Sequence, residues 1–99
     1  MKLPVFCGLS AFPITPSDPN GRVEEKGLST IISRLKNAHV DSIGLLGSTG
    51  TYMYLDRAER RRAIGVAREA SGPDVPIIVS VGALRTGEAV ELARDAEQA

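Results

Sequence analysis

The 99-residue sequence has one cysteine and one histidine, so it lacks most of the side chains that cross-link chains or bind transition metals. Cys7 cannot form an internal disulfide, and its place in an apolar run predicts a buried structural thiol. His39 is expected to follow the first helix, at the end opposite the ligand-carrying loops of an α/β fold. Neither a Ser-His-Asp triad nor a histidine-based metal site can be assembled there, so no metal is expected.

The sequence also lacks net charge and long apolar runs. Twelve basic residues balance twelve acidic ones, which removes the usual electrostatic reason to expect nucleic acid or an anionic membrane as a partner. The first apolar run is short and is broken by Pro4 and Pro13, which excludes a signal peptide or a membrane span there. We therefore expect a cytoplasmic protein that binds neither nucleic acid nor membrane.

Three short apolar runs alternate with three longer amphipathic segments. Residues 5–10, 42–46 and 75–81 form the apolar runs, which predict strands because turn residues bound them. The first amphipathic segment begins near Glu24 and carries apolar side chains at helical spacing, namely Leu28, Ile31, Ile32, Leu35 and Ala38. This alternation predicts an α/β fold with parallel strands and right-handed crossovers.

The second and third helices have recognisable start signals. Asp56 and Glu59 have the D-x-x-E spacing of a capping box, so the second helix is expected to begin near Arg57. Thr86 is the expected N-cap of the third helix. The run of arginines at 60–62 lies among acidic residues, which favours a solvated helix face over an anion site.

Three βα units do not close a sheet. A free-standing sheet of this size would leave two unpaired edges and much apolar surface uncovered, which natural domains avoid. Residues 1–99 are therefore interpreted as an incomplete single domain, the first part of a larger α/β protein.

Ligands of parallel α/β proteins collect at the carboxyl ends of the strands, which here are residues 11–16, 47–51 and 82–85. The 47–51 loop holds Gly47, Ser48, Thr49, Gly50 and Thr51. Its hydroxyls and backbone N–H groups suit a small anion, and a carboxylate fits better than a polyphosphate because no P-loop lysine follows. A plain turn in which the hydroxyls cap the backbone is equally compatible, and a phosphate site at a helix N-terminus is a weaker alternative.

Further residues give these motifs a family context. Thr15 and Pro16 end the first strand, a D-x-x-G element covers residues 18–21, and V-P-I-I-V covers residues 75–79. Together with the 47–51 loop, Leu55, Glu59, Thr86, Glu88 and Ala89, they make the sequence resemble the N-terminal part of the dihydrodipicolinate synthase and N-acetylneuraminate lyase family. The resemblance implies the first three βα units of a (β/α)8 TIM barrel and a class I, pyruvate-dependent aldolase or lyase.

The resemblance also implies roles for the loop. Thr49, through its hydroxyl and backbone N–H, would hold the carboxylate of pyruvate or another 2-oxo acid, with Gly47 and Gly50 completing the substrate-binding loop. Ser48 would be catalytic, bonding to a tyrosine and relaying protons. The Schiff-base lysine and that tyrosine would lie beyond Ala99, so the isolated chain is expected to be inactive. No cofactor is implied, and the intact family member would be a homo-oligomer.

Four residues depart from the family pattern. Thr51 replaces a glutamate, Tyr52 replaces a small residue or phenylalanine, and Gly44 stands where an apolar side chain is common. His39 replaces a glycine at the end of the first helix, where a left-handed conformation is expected. The alternative function is a non-catalytic α/β module that acts by association, either completing the barrel of a partner or assembling with itself.

Overall fold

The computed structural model describes residues 6–99, which form a parallel sheet with helices between its strands. The strands are β1 (Ser10–Ala11), β2 (Ser42–Leu45) and β3 (Ile77–Val79). The helices are α1 (Glu25–Asn37), α2 (Arg57–Ser71) and α3 (Thr86–Gln98), and a 3₁₀ turn at Tyr52–Tyr54 precedes α2. The predicted order of strands and helices is confirmed.

The three strands lie in the order β1-β2-β3, and both pairings are parallel. Ser10 is in register with Ser42, and Leu45 is in register with Val79. All four residues of β2 are buried because this strand has a neighbour on each side, whereas β1 and β3 are only partly buried. The fold class is confirmed as α/β with parallel strands.

The strands are shorter than the apolar runs that predicted them. The first strand was expected at residues 5–10; Val5 lies outside the described residues, and β1 begins only at Ser10. Just before it, the backbone N–H of Leu9 donates to the carboxylate of Asp41 at 2.7 Å instead of to a strand carbonyl. The second strand ends at Leu45 because Leu46 adopts a left-handed conformation with φ of 59°.

The prediction that Cys7 is buried was wrong, because the side chain is exposed. Residues 6–8 form a turn and a bend before β1 begins, so Cys7 has no sheet face against which to pack. An apolar run alone could not distinguish a strand from the turn that leads into it.

The core lies between the sheet and the first two helices. Leu28 and Ile32 from α1 are fully buried, as are Ala63 and Ala67 from α2, and they belong to one apolar cluster with Ile43 of β2. The helical stripes predicted from the sequence therefore face the sheet. Among residues 6–99, no helix is long and apolar enough to cross a membrane.

The helix ends follow the sequence signals in part. The Asp56 side chain accepts a hydrogen bond from the Glu59 N–H at 2.9 Å, so the predicted N-cap of α2 is confirmed. The Glu59 carboxylate does not complete the capping box; it accepts instead from the backbone N–H of Val23 at 2.8 Å, which ties the β1–α1 segment to α2. Thr86 was wrongly predicted as an N-cap, since it is the first helical residue and Arg85 occupies the cap with extended backbone.

The end of α1 has the expected backbone geometry. His39 adopts a left-handed φ of 60°, and its N–H donates to the carbonyl of Lys36 at 3.0 Å. This hydrogen bond satisfies a carbonyl of the last turn that would otherwise lack an intrahelical partner. The prediction for this position is confirmed.

Candidate functional site

The 47–51 loop lies at the carboxyl end of β2 and leads into the 3₁₀ turn. Leu46, just before the loop, and Thr51, its last residue, are non-glycine residues with left-handed backbone. Inside the loop, a Cβ atom added to Gly50 would lie 3.0 Å from the Leu46 backbone and 3.2 Å from the Gly47 N atom. The loop therefore folds back closely on the end of β2, and only glycine leaves enough space at position 50.

The four predicted site residues, Gly47, Ser48, Thr49 and Gly50, all belong to this loop. Its backbone closes the turn, and its hydroxyls do not take part. The turn is closed by the backbone, since the Thr51 N–H donates to the carbonyl of Ser48 at 3.1 Å. The side chains of Ser48 and Thr49 are exposed, and within residues 6–99 neither hydroxyl forms a hydrogen bond to the chain. The two hydroxyls do not cap the turn, which leaves them available to a ligand.

Thr51, the last residue of this loop, has a strained backbone. Thr51 has φ of 59°, a conformation that is unusual for a β-branched residue and costs roughly 1–2 kcal/mol. Its carbonyl accepts from the Tyr54 N–H at 3.0 Å, so the strained residue starts the 3₁₀ turn. Strained backbone of this kind is held in place by surrounding structure and often lies at functional sites.

An aromatic side chain from the neighbouring strand lies against the start of the loop. Phe12 follows β1, and its ring occupies the space beside Gly44 of β2 so closely that a Cβ on Gly44 would overlap it. A Cβ on Gly47 would lie 3.5 Å from the same ring. The departure at Gly44 therefore has a structural explanation: the glycine accommodates Phe12.

The segment after β1 supplies polar groups next to Thr51. Thr15 is buried, with 4% of its surface exposed, and its hydroxyl has no hydrogen-bond partner within residues 6–99. It lines one cleft together with Asp18, Thr51 and Tyr54. The Asp18 carboxylate accepts from the backbone N–H groups of Asn20 and Arg22, at 2.8 and 3.0 Å, which forms the turn of the D-x-x-G element.

Arg60 is not on a solvated helix face, so that part of the prediction for residues 60–62 was wrong, whereas Arg61 and Arg62 are exposed as expected. Arg60 is only 6% exposed and donates to the carbonyls of Gly82 at 2.9 Å and Ser80 at 3.2 Å. Its guanidinium lies 5.3 Å from the centre of the Tyr52 ring, within cation–π distance. Burial lowers the pKa of Arg60, while Tyr52 acts in the opposite direction.

This contact joins the loops that follow β2 and β3. The Tyr52 ring packs on Gly82, where a Cβ would lie 3.0 Å from it, and Arg60 holds the carbonyls on either side of Val81. Sequence reasoning missed Arg60 because its partners are 20 and 22 residues away and consist of backbone carbonyls. The one available signal for the buried arginine was Tyr52, which was identified from the sequence only as a departure from the family pattern.

A cluster of ion pairs joins α2 to α3. Arg57 donates two hydrogen bonds to the carboxylate of Asp95, at 2.7 and 3.0 Å, and a third to Glu91 at 2.9 Å. These hydrogen bonds hold the pKa of Asp95 below its ordinary value of 3.8, although desolvation acts the other way. Because its charge is matched by Arg57, Asp95 is a structural carboxylate and not a candidate acid or base.

Comparisons with known proteins agree with this geometry. The model of the Dihydrodipicolinate synthetase family matches residues 5–99. A dihydrodipicolinate synthase from Agrobacterium tumefaciens is 56% identical, with a TM-score of 0.93 over 95% of this chain and 32% of that one. An N-acetylneuraminate lyase from Mycoplasma synoviae is 28% identical, with a TM-score of 0.85 over 95% of this chain and 32% of that one.

A third similar structure was solved in complex with pyruvate. It is a prophage protein of the dihydrodipicolinic acid synthase family from E. coli K12, 28% identical, with a TM-score of 0.86 over 94% of this chain and 31% of that one. The chain thus spans about a third of the length of these relatives. The matches do not favour the alternative of a non-catalytic module, and the chain belongs to the dihydrodipicolinate synthetase family.

Proposed function

We propose that this chain forms the first three βα units, an incomplete domain, of a (β/α)8 lyase or aldolase that acts on pyruvate or another 2-oxo acid. Its family membership supports this proposal, as does the pyruvate complex of one similar protein. The observation that carries it is the 47–51 loop, in which two exposed hydroxyls stand between glycines at the carboxyl end of a buried strand. Ligands of this fold bind at that end.

The chemistry we propose is class I, with a lysine located beyond residue 99. The amine of that lysine condenses with the ketone of the acid and releases water, and the resulting iminium accepts electrons while a C–C bond forms or breaks. The lysines of the described chain, Lys26 and Lys36, are exposed residues of α1, and neither belongs to a strand or to a loop that follows one. No cofactor takes part in this proposal.

Within this chemistry, Thr49 binds the substrate and Ser48 assists proton transfer. The Thr49 hydroxyl and N–H donate to the carboxylate of the 2-oxo acid, which fixes the ketone for attack. Ser48 hydrogen-bonds a tyrosine from a later part of the chain and relays protons through it. Gly47 and Gly50 let the backbone approach the acid without a Cβ in the way. A homo-oligomeric, cytoplasmic enzyme remains our expectation for the full-length protein.

Two substitutions in the full-length protein test these roles. Thr49→Ala should weaken pyruvate binding by roughly 1.5–3 kcal/mol, because it removes a hydrogen bond to a charged group. Ser48→Ala should mainly lower kcat, with a smaller effect on KM. The measurements are steady-state kinetics and the pyruvate dependence of borohydride trapping.

Two controls separate binding from folding. Thr49→Ser keeps the hydroxyl and should retain most of the affinity for pyruvate. Thr30→Ala removes an exposed hydroxyl on α1, outside the loop, and should leave kcat and KM unchanged. If Thr49→Ala and Ser48→Ala lower only the melting temperature and leave kcat and KM unchanged, the loop is a structural turn and the proposed roles are wrong.

A further inference from the structure

We propose that Phe12 determines substrate specificity by forming an apolar wall beside the 47–51 loop that limits the size of the 2-oxo acid. The inference rests on the proposed function and adds the residue that selects among substrates of that class. It starts from the contact of the Phe12 ring with Gly44 of β2 and from the closeness of the ring to Gly47, the first residue of the loop.

The position of Phe12 is determined by two neighbouring strands. Phe12 immediately follows β1, and β1 pairs with β2 so that Ala11 is opposite Ile43. The ring therefore reaches across to the next residue of β2, Gly44, and fills the volume that a side chain there would occupy. A large side chain that follows β1, Phe12, is thus paired with a residue of β2 that has no side chain, Gly44.

One side of the ring lies against Gly44. Within residues 6–99 Phe12 is 56% exposed, and it directly follows β1 at the carboxyl end of that strand. A Cβ added to Gly47 would lie 3.5 Å from the ring, and Gly47 is directly followed by Ser48 and Thr49. An apolar surface thus adjoins the hydroxyls that we propose hold the carboxylate.

This arrangement suits discrimination by size. With the carboxylate held by Thr49, the remainder of the acid must pass the neighbouring ring, and a short acid such as pyruvate needs the least space. One additional methylene in an apolar site changes specificity by about 10–200-fold when space is limited. Replacing the ring with a methyl group would remove the wall and admit longer acids.

The test uses the full-length protein and two acids, pyruvate and 2-oxopentanoate, with borohydride trapping of the Schiff base as the readout. For each protein we would measure the second-order trapping constant for each acid and take the ratio of 2-oxopentanoate to pyruvate. Phe12→Ala should raise this ratio at least about tenfold. Phe6→Ala is the matched control, since it removes an equally large ring that is 88% exposed on the amino side of β1, and it should change the ratio less than twofold.

A double variant that moves the side-chain volume from position 12 to position 44 shows whether this volume determines the ratio. Gly44→Val alone should destabilise the protein, because its side chain would overlap the Phe12 ring. Combining Phe12→Ala with Gly44→Val restores bulk from the other strand and should return the ratio towards the parent value. If Phe12 had only a structural role, the Phe12→Ala protein would be less stable but its ratio of 2-oxopentanoate to pyruvate trapping constants would not change.

The outcomes distinguish this inference from the function on which it rests. If the parent protein forms no adduct with either acid, the proposed function is wrong and the inference is overturned with it. If the parent forms an adduct but Phe12→Ala leaves the ratio within twofold, only the role of Phe12 is wrong. A tenfold rise that the double variant reverses supports both.

Discussion

The helix-covered core beside β2 and the 47–51 loop beyond it place different demands on the sequence. Beside the strand, Ile43 and Leu45 are buried against apolar residues of α1 and α2. Beyond it, Ser48 and Thr49 are exposed, and Thr51 has a left-handed backbone. The apolar side chains of the core pack against one another and stabilise the fold. The loop has exposed hydroxyls and a strained backbone, which do not stabilise it.

The comparison separates stability from function. A substitution in the core should lower the free energy of unfolding and leave affinity for a 2-oxo acid intact, whereas relief of strain in the loop should raise the free energy of unfolding slightly and lower that affinity. The next three predictions concern the full-length protein and run from the largest expected change in stability to the smallest.

Ile32→Ala should lower the free energy of unfolding by about 2–5 kcal/mol, because Ile32 is fully buried and its truncation leaves a cavity. Denaturant unfolding measures this loss, with Thr30→Ala on the exposed side of the same helix expected to stay within about 0.5 kcal/mol. Pyruvate affinity of the folded Ile32→Ala protein should match the parent. A loss of stability below about 1 kcal/mol would contradict the assignment of this position to the core.

Thr51→Gly should raise the free energy of unfolding by up to about 1 kcal/mol, because glycine adopts φ of 59° without a Cβ penalty but loses more backbone entropy. Activity should fall if the strained residue holds the loop in its binding geometry. Thr51→Ala, which keeps a Cβ, should gain much less stability. Equal stability of the glycine and alanine variants would show that the backbone at Thr51 is not strained.

Asp95→Asn should have the smallest effect and one that depends on pH. The pKa of Asp95 is lowered in the folded state, so its ion pair with Arg57 contributes stability above the ordinary pKa of 3.8 and loses it as the pH falls through the folded-state value. The difference in unfolding free energy between parent and variant should therefore shrink on acidification below about pH 4. A difference that is constant between pH 7 and pH 3 would contradict the lowered pKa.

The sequence predicted the parts of the fold that depend on local pattern. The helical stripe containing Leu28 and Ile32, the Asp56 cap and the alternation of strands with helices were all confirmed. Strand ends were less predictable. For example, β1 begins later than its apolar run, because the Leu9 N–H donates to the carboxylate of Asp41, 32 residues away. Local pattern contains no information about such a partner.

The candidate site was predictable to a similar extent. Residues Ser48 and Thr49 were identified from composition and family resemblance, and the structure places them together on one exposed loop. The buried position of Arg60 and the Phe12–Gly44 contact could not be foreseen, because both depend on which strand ends become neighbours in space. Arginine in a charged run predicts solvent exposure unless distant carbonyls are available to accept its N–H groups.

The most direct test of the central claim is to reduce the full-length protein with borohydride in the presence of pyruvate and to locate the adduct by peptide mass. We expect one pyruvyl adduct per chain on a lysine beyond residue 99, markedly less of it in Thr49→Ala, and none on the isolated 99-residue chain. An adduct on Lys26 or Lys36, or the same amount of adduct in Thr49→Ala at subsaturating pyruvate, would contradict the claim that this loop binds the acid for a lysine supplied by the rest of the barrel.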